Sequence, residues 1–337
     1  MSNVFFDLQK KSTLITFREM SNSELYIVPF IKKLAEILPA DIIYVEDFEN
    51  SDEIYRYLEN ERGKCLNIFF LRFVWLMSAK GLQRSSSKTR IYYEQDAALN
   101  YINVTGMEYL GAWTKYLPLL HSDLLITNDK NSRNRFLTDG MTAYWSPKAV
   151  DKVFLDSKAQ KEKSFSIGYY GARYGARAYA LAWMKKNNIE INKFAAPYEK
   201  LQKRISSCHA ILICNSQNKY LVPWFKKIQR KFPLIFIKPE PGWQVLAKNY
   251  EVCAANSLMF ADYIEEMDDL GFTSGVNCLL YRDTAEMVDM ARWITSHPDQ
   301  VDEIAERGFR LVAERHTWDH RAHSLANFLK TEFLMTI

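Results

Sequence analysis

Short apolar runs alternate with amphipathic stretches along the whole chain, and this alternation is its clearest organising pattern. Residues 13–17 form a first strand-like run, followed by the polar turn Ser21-Asn22-Ser23 and a helical pattern over residues 24–38. Runs at residues 41–45 and 66–70 flank a charged helical stretch at Ser51–Asn60. A further run, Ile91-Tyr92-Tyr93, ends at Glu94-Gln95-Asp96. Leu124–Thr127 and residues 142–145 close the series, with a helix expected at 131–137 between them. Apolar runs of strand length separated by segments of 3.6-residue periodicity predict alternating strands and helices. That order predicts a parallel, doubly wound α/β sheet.

A polar stretch at residues 158–163 reads as a linker, and a second series begins after it. Strands are expected at Phe165–Tyr170 and at residues 189–194, 210–214, 234–237, 257–261 and 277–281. Helices are expected at 178–186, 198–206, 222–230, Thr284–Ser296 and 300–316. The last amphipathic stretch, 318–333, is long enough to cross back to the first half. A chain of 337 residues exceeds what one core usually organises. The pattern therefore predicts two Rossmann-like domains facing a cleft, at residues 1–160 and 161–316. A C-terminal helix within 317–337 packs back on the first domain in this reading.

Composition adds little to the fold but narrows the partners. At 48% hydrophobic and 14% aromatic, the chain has enough apolar residues to fill two cores. No apolar run reaches bilayer length, and the longest candidate, residues 66–77, contains Arg72. The N-terminus lacks a basic-then-apolar signal pattern. Cys65, Cys208, Cys214, Cys253 and Cys278 are odd in number and scattered, which predicts free thiols in a reducing cytoplasm. The net charge of +4 conceals a strong asymmetry. Residues 151–250 carry 19 Lys/Arg against 6 Asp/Glu, while 251–337 carry 7 against 16. A basic middle third suits a polyanion or a phosphate-rich ligand; solvated helix faces are the plainer account.

Open parallel sheets bind ligands beyond the carboxyl ends of their strands, where helix N-termini attract anions. Two strand–helix junctions stand out on that ground. After the strand at Phe165–Tyr170 comes Gly171-Ala172-Arg173-Tyr174-Gly175-Ala176-Arg177. Its glycines would let a phosphate approach, and Arg173 and Arg177 supply planar donors. The glycine spacing does not fit the dinucleotide fingerprint. Lys248 and Glu251 lie three residues apart, so on a helix they share a face. In the first half, Asp96 follows a strand, where a carboxylate is either a general base or a helix cap. Glu94 competes for the same role, and Glu24 opens the first helix. His316 and His320 share a helical spacing, but a Thr-capped helix start accounts for them more simply. The chain holds no Asp-x-Asp motif and no Ser/His/Asp or Cys/His pattern.

The block Glu251-Val252-Cys253-Ala254-Ala255-Asn256 resembles the late-helix signature of GT-B glycosyltransferases, with Asn256 where a Gly usually follows. The ending from Ile304-Ala305-Glu306-Arg307-Gly308 to His316-Thr317-Trp318-Asp319-His320-Arg321 resembles spore-coat-type members of that clan. Four segments are similar, in the same order, to the bacteriophage DNA β-glucosyltransferases, which act on 5-hydroxymethylcytosine. They begin at Ser21, Arg90, Tyr170 and Lys248; the Tyr170 segment is one residue shorter, and Lys248 replaces an Arg. The stretch from Cys214 to Lys248 is longer here, and the loop after Asp96 differs.

The resemblance implies an inverting transfer from a UDP-sugar, UDP-glucose or a UDP-pentose such as UDP-arabinose, to a hydroxymethyl-pyrimidine in duplex DNA. It implies Asp96 as the base and Glu24 at the sugar or acceptor. Gly171, Arg173, Arg177, Lys248 and Glu251, with Tyr198, would form the donor site. Lys80, Arg84, Lys88, Arg90, Asn100 and Tyr101 would meet DNA. It further implies a monomer without a membrane partner, in the cytoplasm of an infected host, and no motif marks a divalent cation. Two alternatives stay open: a GT-B enzyme acting on a cell-surface glycan or small molecule, and a non-catalytic nucleotide-sugar or DNA-binding protein.

Overall fold

The computed structural model describes residues 12–18, 27–60, 66–70, 89–94, 121–155, 163–173, 176–215 and 244–333. The strand expected at 234–237 and the helix expected at 222–230 lie outside these residues. The chain divides into two compact units. One holds the described residues up to Pro147 together with those from Trp318 onward; the other is Lys148–Thr317.

The first unit is built on a parallel sheet of β1 (Ser12–Thr16), β2 (Ala40–Tyr44), β3 (Leu66–Phe69), β4 (Thr89–Glu94), β5 (Leu124–Thr127) and β6 (Ala143–Trp145). Their order is β2-β1-β3-β4-β5-β6. Helices α1 (Val28–Ile37), α2 (Ser51–Asn60) and α3 (Lys130–Thr138) connect them. Pro29 sits in the first turn of α1, where its missing N–H costs nothing. Asp129 caps α3 by accepting from Ser132 N at 2.6 Å. The C-terminal helix, Trp318–Phe328, belongs to this unit for a visible reason. Trp318 is buried, with its ring 5.3 Å from Phe30 on α1. That helix ends earlier than the periodicity predicts, because Leu329–Phe333 winds as a wider π-type turn.

The second unit repeats the theme with β7 (Phe165–Tyr170), β8 (Asn192–Phe194), β9 (Cys208–Ile213), β10 (Leu258–Asp262) and β11 (Leu279–Tyr281). All pairs are parallel, in the order β11-β10-β9-β7-β8. Its helices are α4 (Ala176–Lys186), α5 (Tyr198–Ile205), α6 (Ala247–Ala254), α7 (Glu266–Asp269), α8 (Thr284–Ser296) and α9 (Pro298–Arg315). The chain steps from β7 outward to β8 and then returns across β7 to β9. Sheet order thus reverses between β7 and β9, which makes their carboxyl ends a topological switch point.

Strand β8 is shorter than expected because its apolar lead-in does another job. Asn188 adopts φ +58°, and Ile189 N donates to Met184 O at 3.0 Å, closing the end of α4. Ile189 therefore packs on the core as part of a helix cap. Close packing on the other side depends on Gly308 in α9. A Cβ there would lie 2.5 Å from the Asn277 carbonyl oxygen and 3.4 Å from Cys253 Sγ. Gly308→Ala is expected to cost about 1–3 kcal/mol of stability, because the obstruction is backbone that cannot rotate aside. Urea unfolding checks this, and an unchanged midpoint would show that the loop yields freely.

Candidate functional site

The switch point of the second sheet collects the groups with the most distinctive chemistry. Tyr170 ends β7, and Gly171 follows with φ +95°, a left-handed conformation that suits glycine. A Cβ on Gly171 would fall on the Lys248 ammonium. Helix α6 approaches this corner and carries Lys248 and Glu251 on one face, one turn apart.

Both residues attach to Tyr170. Lys248 Nζ donates to the Tyr170 carbonyl oxygen at 2.8 Å and lies 4.4 Å from the centre of the Tyr170 ring. The Tyr170 hydroxyl donates to Glu251 Oε2 at 2.7 Å. The ring itself stacks on Phe194 of β8, with centroids 5.7 Å apart. Helix α6 is also tied to the next strand over. Asn249 Nδ2 donates to Asn215 Oδ1 at 2.9 Å, and Asn215 N donates to Asp262 Oδ1 at the end of β10.

Burial sets the electrostatics. It pushes the Glu251 carboxyl above its ordinary range, opposed by the Tyr170 hydroxyl and by the charges of Lys248 and Lys148. Burial, then the positive charge of Arg177, lowers Lys248 from 10.5 to about 8. Tyr170 is held firmly protonated by burial and by the neighbouring Glu251 charge. The corner therefore presents a cation that gains from a second anion and an oriented carboxylate. Tyr170 occupies only Oε2; among the described residues no other donor bonds Glu251. This is chemistry for a ligand with an anionic part and hydroxyl donors.

The expected donor residues are only partly brought together. Gly171 lies against Lys248 directly, and Glu251 joins them through Tyr170. Arg177, in the first turn of α4, reaches Lys248 and Tyr170 through its charge. Tyr198 opens α5 against Phe154, and its phenol is raised by burial and then by Glu251. Arg173 stands exposed in the loop. Asp96, Glu24, Gly175, Lys80, Arg84, Lys88, Asn100 and Tyr101 lie outside the described residues.

Arg90 requires a correction. It is 2% exposed within β4, donates to Glu59 Oε1 at 2.9 Å and lies over the Tyr55 ring. A guanidinium buried and paired in this way is not a phosphate contact. His316 is also buried, its Nε2 2.8 Å from the Leu270 carbonyl oxygen, and no cluster of metal-ligating side chains occurs among the described residues.

Reading along the sequence passed over Tyr170, Asn215, Asn249, Asp262 and Lys148 as site residues. The usable signal for Tyr170 and Asn215 was position, directly at the ends of two central strands.

Two units built on parallel sheets flanked by helices fit the GT-B class of glycosyltransferases. The chain belongs to the glycosyl transferase-like family, whose model matches residues 152–327.

Solved structures share the fold across nearly the whole chain. Anabaena HepE, solved with UDP and glucose, matches with TM-score 0.61 at 10% identity, over 95% of this chain and 99% of that one. Sucrose-phosphate synthase from Thermosynechococcus elongatus matches with TM-score 0.61 at 9% identity, over 97% and 100%. An alpha-glucosyltransferase in complex with UDP and a 13-mer DNA matches with TM-score 0.56 at 8% identity, over 95% and 99%. A search of the curated proteins finds no match.

Proposed function

We propose that this glycosyltransferase moves a sugar, glucose or a pentose, from a UDP-sugar to the hydroxymethyl group of a 5-hydroxymethyl-pyrimidine in duplex DNA. The observation that carries the donor half is the Tyr170–Lys248–Glu251 corner at the switch point of β7 and β9. Its residues fit a nucleoside diphosphate. Lys248 with Arg177 and the exposed Arg173 faces the diphosphate, and Gly171 leaves room for the Lys248 ammonium. Glu251 accepts from the ribose hydroxyls, with Tyr198 beside it. HepE, solved with UDP, supports the choice of nucleotide.

Catalysis in this reading is electrostatic on the donor side. Lys248 and the arginines stabilise the charge that develops on the departing diphosphate. Asp96, after β4, takes the proton of the acceptor hydroxyl, and Glu24 contacts sugar or acceptor. Attack driven from the far side of the sugar inverts the anomeric centre, so the product linkage is opposite in configuration to that of the donor. The DNA acceptor is supported by the four resembling segments and by the alpha-glucosyltransferase solved with DNA. Lys80, Arg84, Lys88, Asn100 and Tyr101 remain the proposed DNA contacts, and Arg90 is removed from that set.

The test incubates hydroxymethylcytosine-containing duplex DNA with a panel of UDP-sugars and weighs the released nucleosides by mass spectrometry. The expected result is a gain of one hexosyl or pentosyl mass. Transfer to a glycan or small acceptor with no gain on DNA would overturn the acceptor assignment while leaving the donor site intact.

A further inference from the structure

Tyr170 is where the proposed phosphate-binding cation and the proposed ribose-binding carboxylate converge. Its backbone is held in β7 between β8 and β9, and its ring is pinned against Phe194. From that fixed position the carbonyl and ring face hold Lys248, while the hydroxyl holds Glu251. We propose that Tyr170 is a positioning residue for the donor, orienting Glu251 for the ribose diol through its hydroxyl and Lys248 for the diphosphate through its carbonyl and ring. The inference rests on the UDP-sugar reading and deepens it.

A filler role does not account for the hydroxyl. At a buried strand end a phenylalanine would complete the same packing without a polar group to satisfy. The partner of the hydroxyl is itself a buried carboxylate, an arrangement that is costly unless the carboxylate is wanted there. One hydrogen bond at 2.7 Å on Oε2 fixes the plane of the carboxylate, so Oε1 points in a defined direction for a ligand hydroxyl. The charges facing this pair are Lys248 on α6, Lys148 on the segment entering the unit and Arg177 on α4, with the neutral Tyr198 phenol on α5. The Tyr170 hydroxyl, Lys248 and Lys148 all favour an ionised Glu251, and what the hydroxyl alone adds to that charge is direction.

The experiment separates direction from packing by varying the ligand. Tyr170→Phe keeps the ring and the carbonyl, and so keeps the hold on Lys248. Calorimetric titration of this variant is expected to show a Kd for UDP raised roughly tenfold, the worth of a hydrogen bond to a charged group. For 2′,3′-dideoxyuridine diphosphate, which lacks the diol, wild type and variant are expected to agree within about twofold, since that bond is then not used. The double variant Tyr170→Phe/Glu251→Gln removes the donor and the buried charge together. It is expected to bind UDP no more weakly than Glu251→Gln alone, and it keeps the test open if the single variant does not fold. Wild-type affinity for UDP in Tyr170→Phe, an equal loss on both nucleotides, or additive losses in the double variant would each overturn the proposal. A wild-type protein that binds no UDP would instead sink the donor reading, before any variant is compared.

Discussion

Exchanging Lys248 for methionine should lower kcat/KM for sugar transfer by roughly 10²–10³-fold and, at neutral pH, make the protein more stable. The two effects have one cause. The Lys248 ammonium is buried with a carbonyl and a ring face as its described contacts, and the like charge of Arg177 stands nearby. Its pKa in the folded protein is about 8, below the ordinary 10.5. A depressed folded pKa means that the folded state holds this proton less tightly than the unfolded chain does. The charged form therefore costs stability, fully below about pH 8 and progressively less as pH rises towards 10.5. Methionine matches the length, removes the charge and abolishes that pH-dependent gain. A diphosphate would add a second anion beside Glu251 and raise the Lys248 pKa. UDP affinity is accordingly expected to be greatest below about pH 8 and to fall as pH rises through it. Urea unfolding of both proteins at pH 7 and near the upper end of the window, beside transfer kinetics, decides the matter. A variant less stable than wild type would make Lys248 a structural residue.

Asp96→Asn is expected to lower kcat by roughly 10²–10⁴-fold, the usual worth of a general base, while UDP affinity stays within about twofold. The proposed donor residues belong to Lys148–Thr317, whereas Asp96 follows β4 of the other unit, so binding and proton transfer should separate cleanly. The rival Glu94 is the last residue of β4, paired in register with Thr127 and 8% exposed. Single-turnover kinetics with a separate UDP titration would distinguish the two contributions. The product's anomeric linkage, read by NMR, is a second check. A product that retains the anomeric configuration of its donor would remove Asp96 from the role of a base acting from the far side.

Local features were the most legible in the sequence. Ser51–Asn60, Leu124–Thr127, Phe165–Tyr170 and Thr284–Ser296 stand where periodicity and flanking polar residues put them. Lys248 and Glu251 were legible as a pair because helical spacing alone puts them on one face. Asn215 and Asp262 were not, since 47 residues separate them and only adjacent parallel strands unite them. Arg90 misled because Arg84 and Lys88 precede it, suggesting a basic loop. Strand alternation puts it instead on the same face as Tyr92, where α2 covers it with Tyr55 and Glu59. The apolar Ile189 misled for a related reason: burial is shared by strands and helix caps alike.

Helix α6 is fastened at both ends. Its first turn is tied to Tyr170 and Asn215. At its other end Asn256 turns left-handed, with φ +53°, and its carbonyl accepts from Lys163 Nζ at 2.8 Å, while Ser257 Oγ donates to Ile205 and Cys208. A strut held in this way has little freedom to rock. With the helix fixed and both side chains held by Tyr170, the spacing of the Lys248 ammonium and the Glu251 carboxylate is a ruler set during folding. The entropy of arranging these two groups is lost when the chain folds and is not charged again to the ligand. In the proposed donor site, selectivity at this corner would then reduce to length, because a molecule whose anionic and hydroxyl ends are wrongly spaced can satisfy one mark on the ruler but not both.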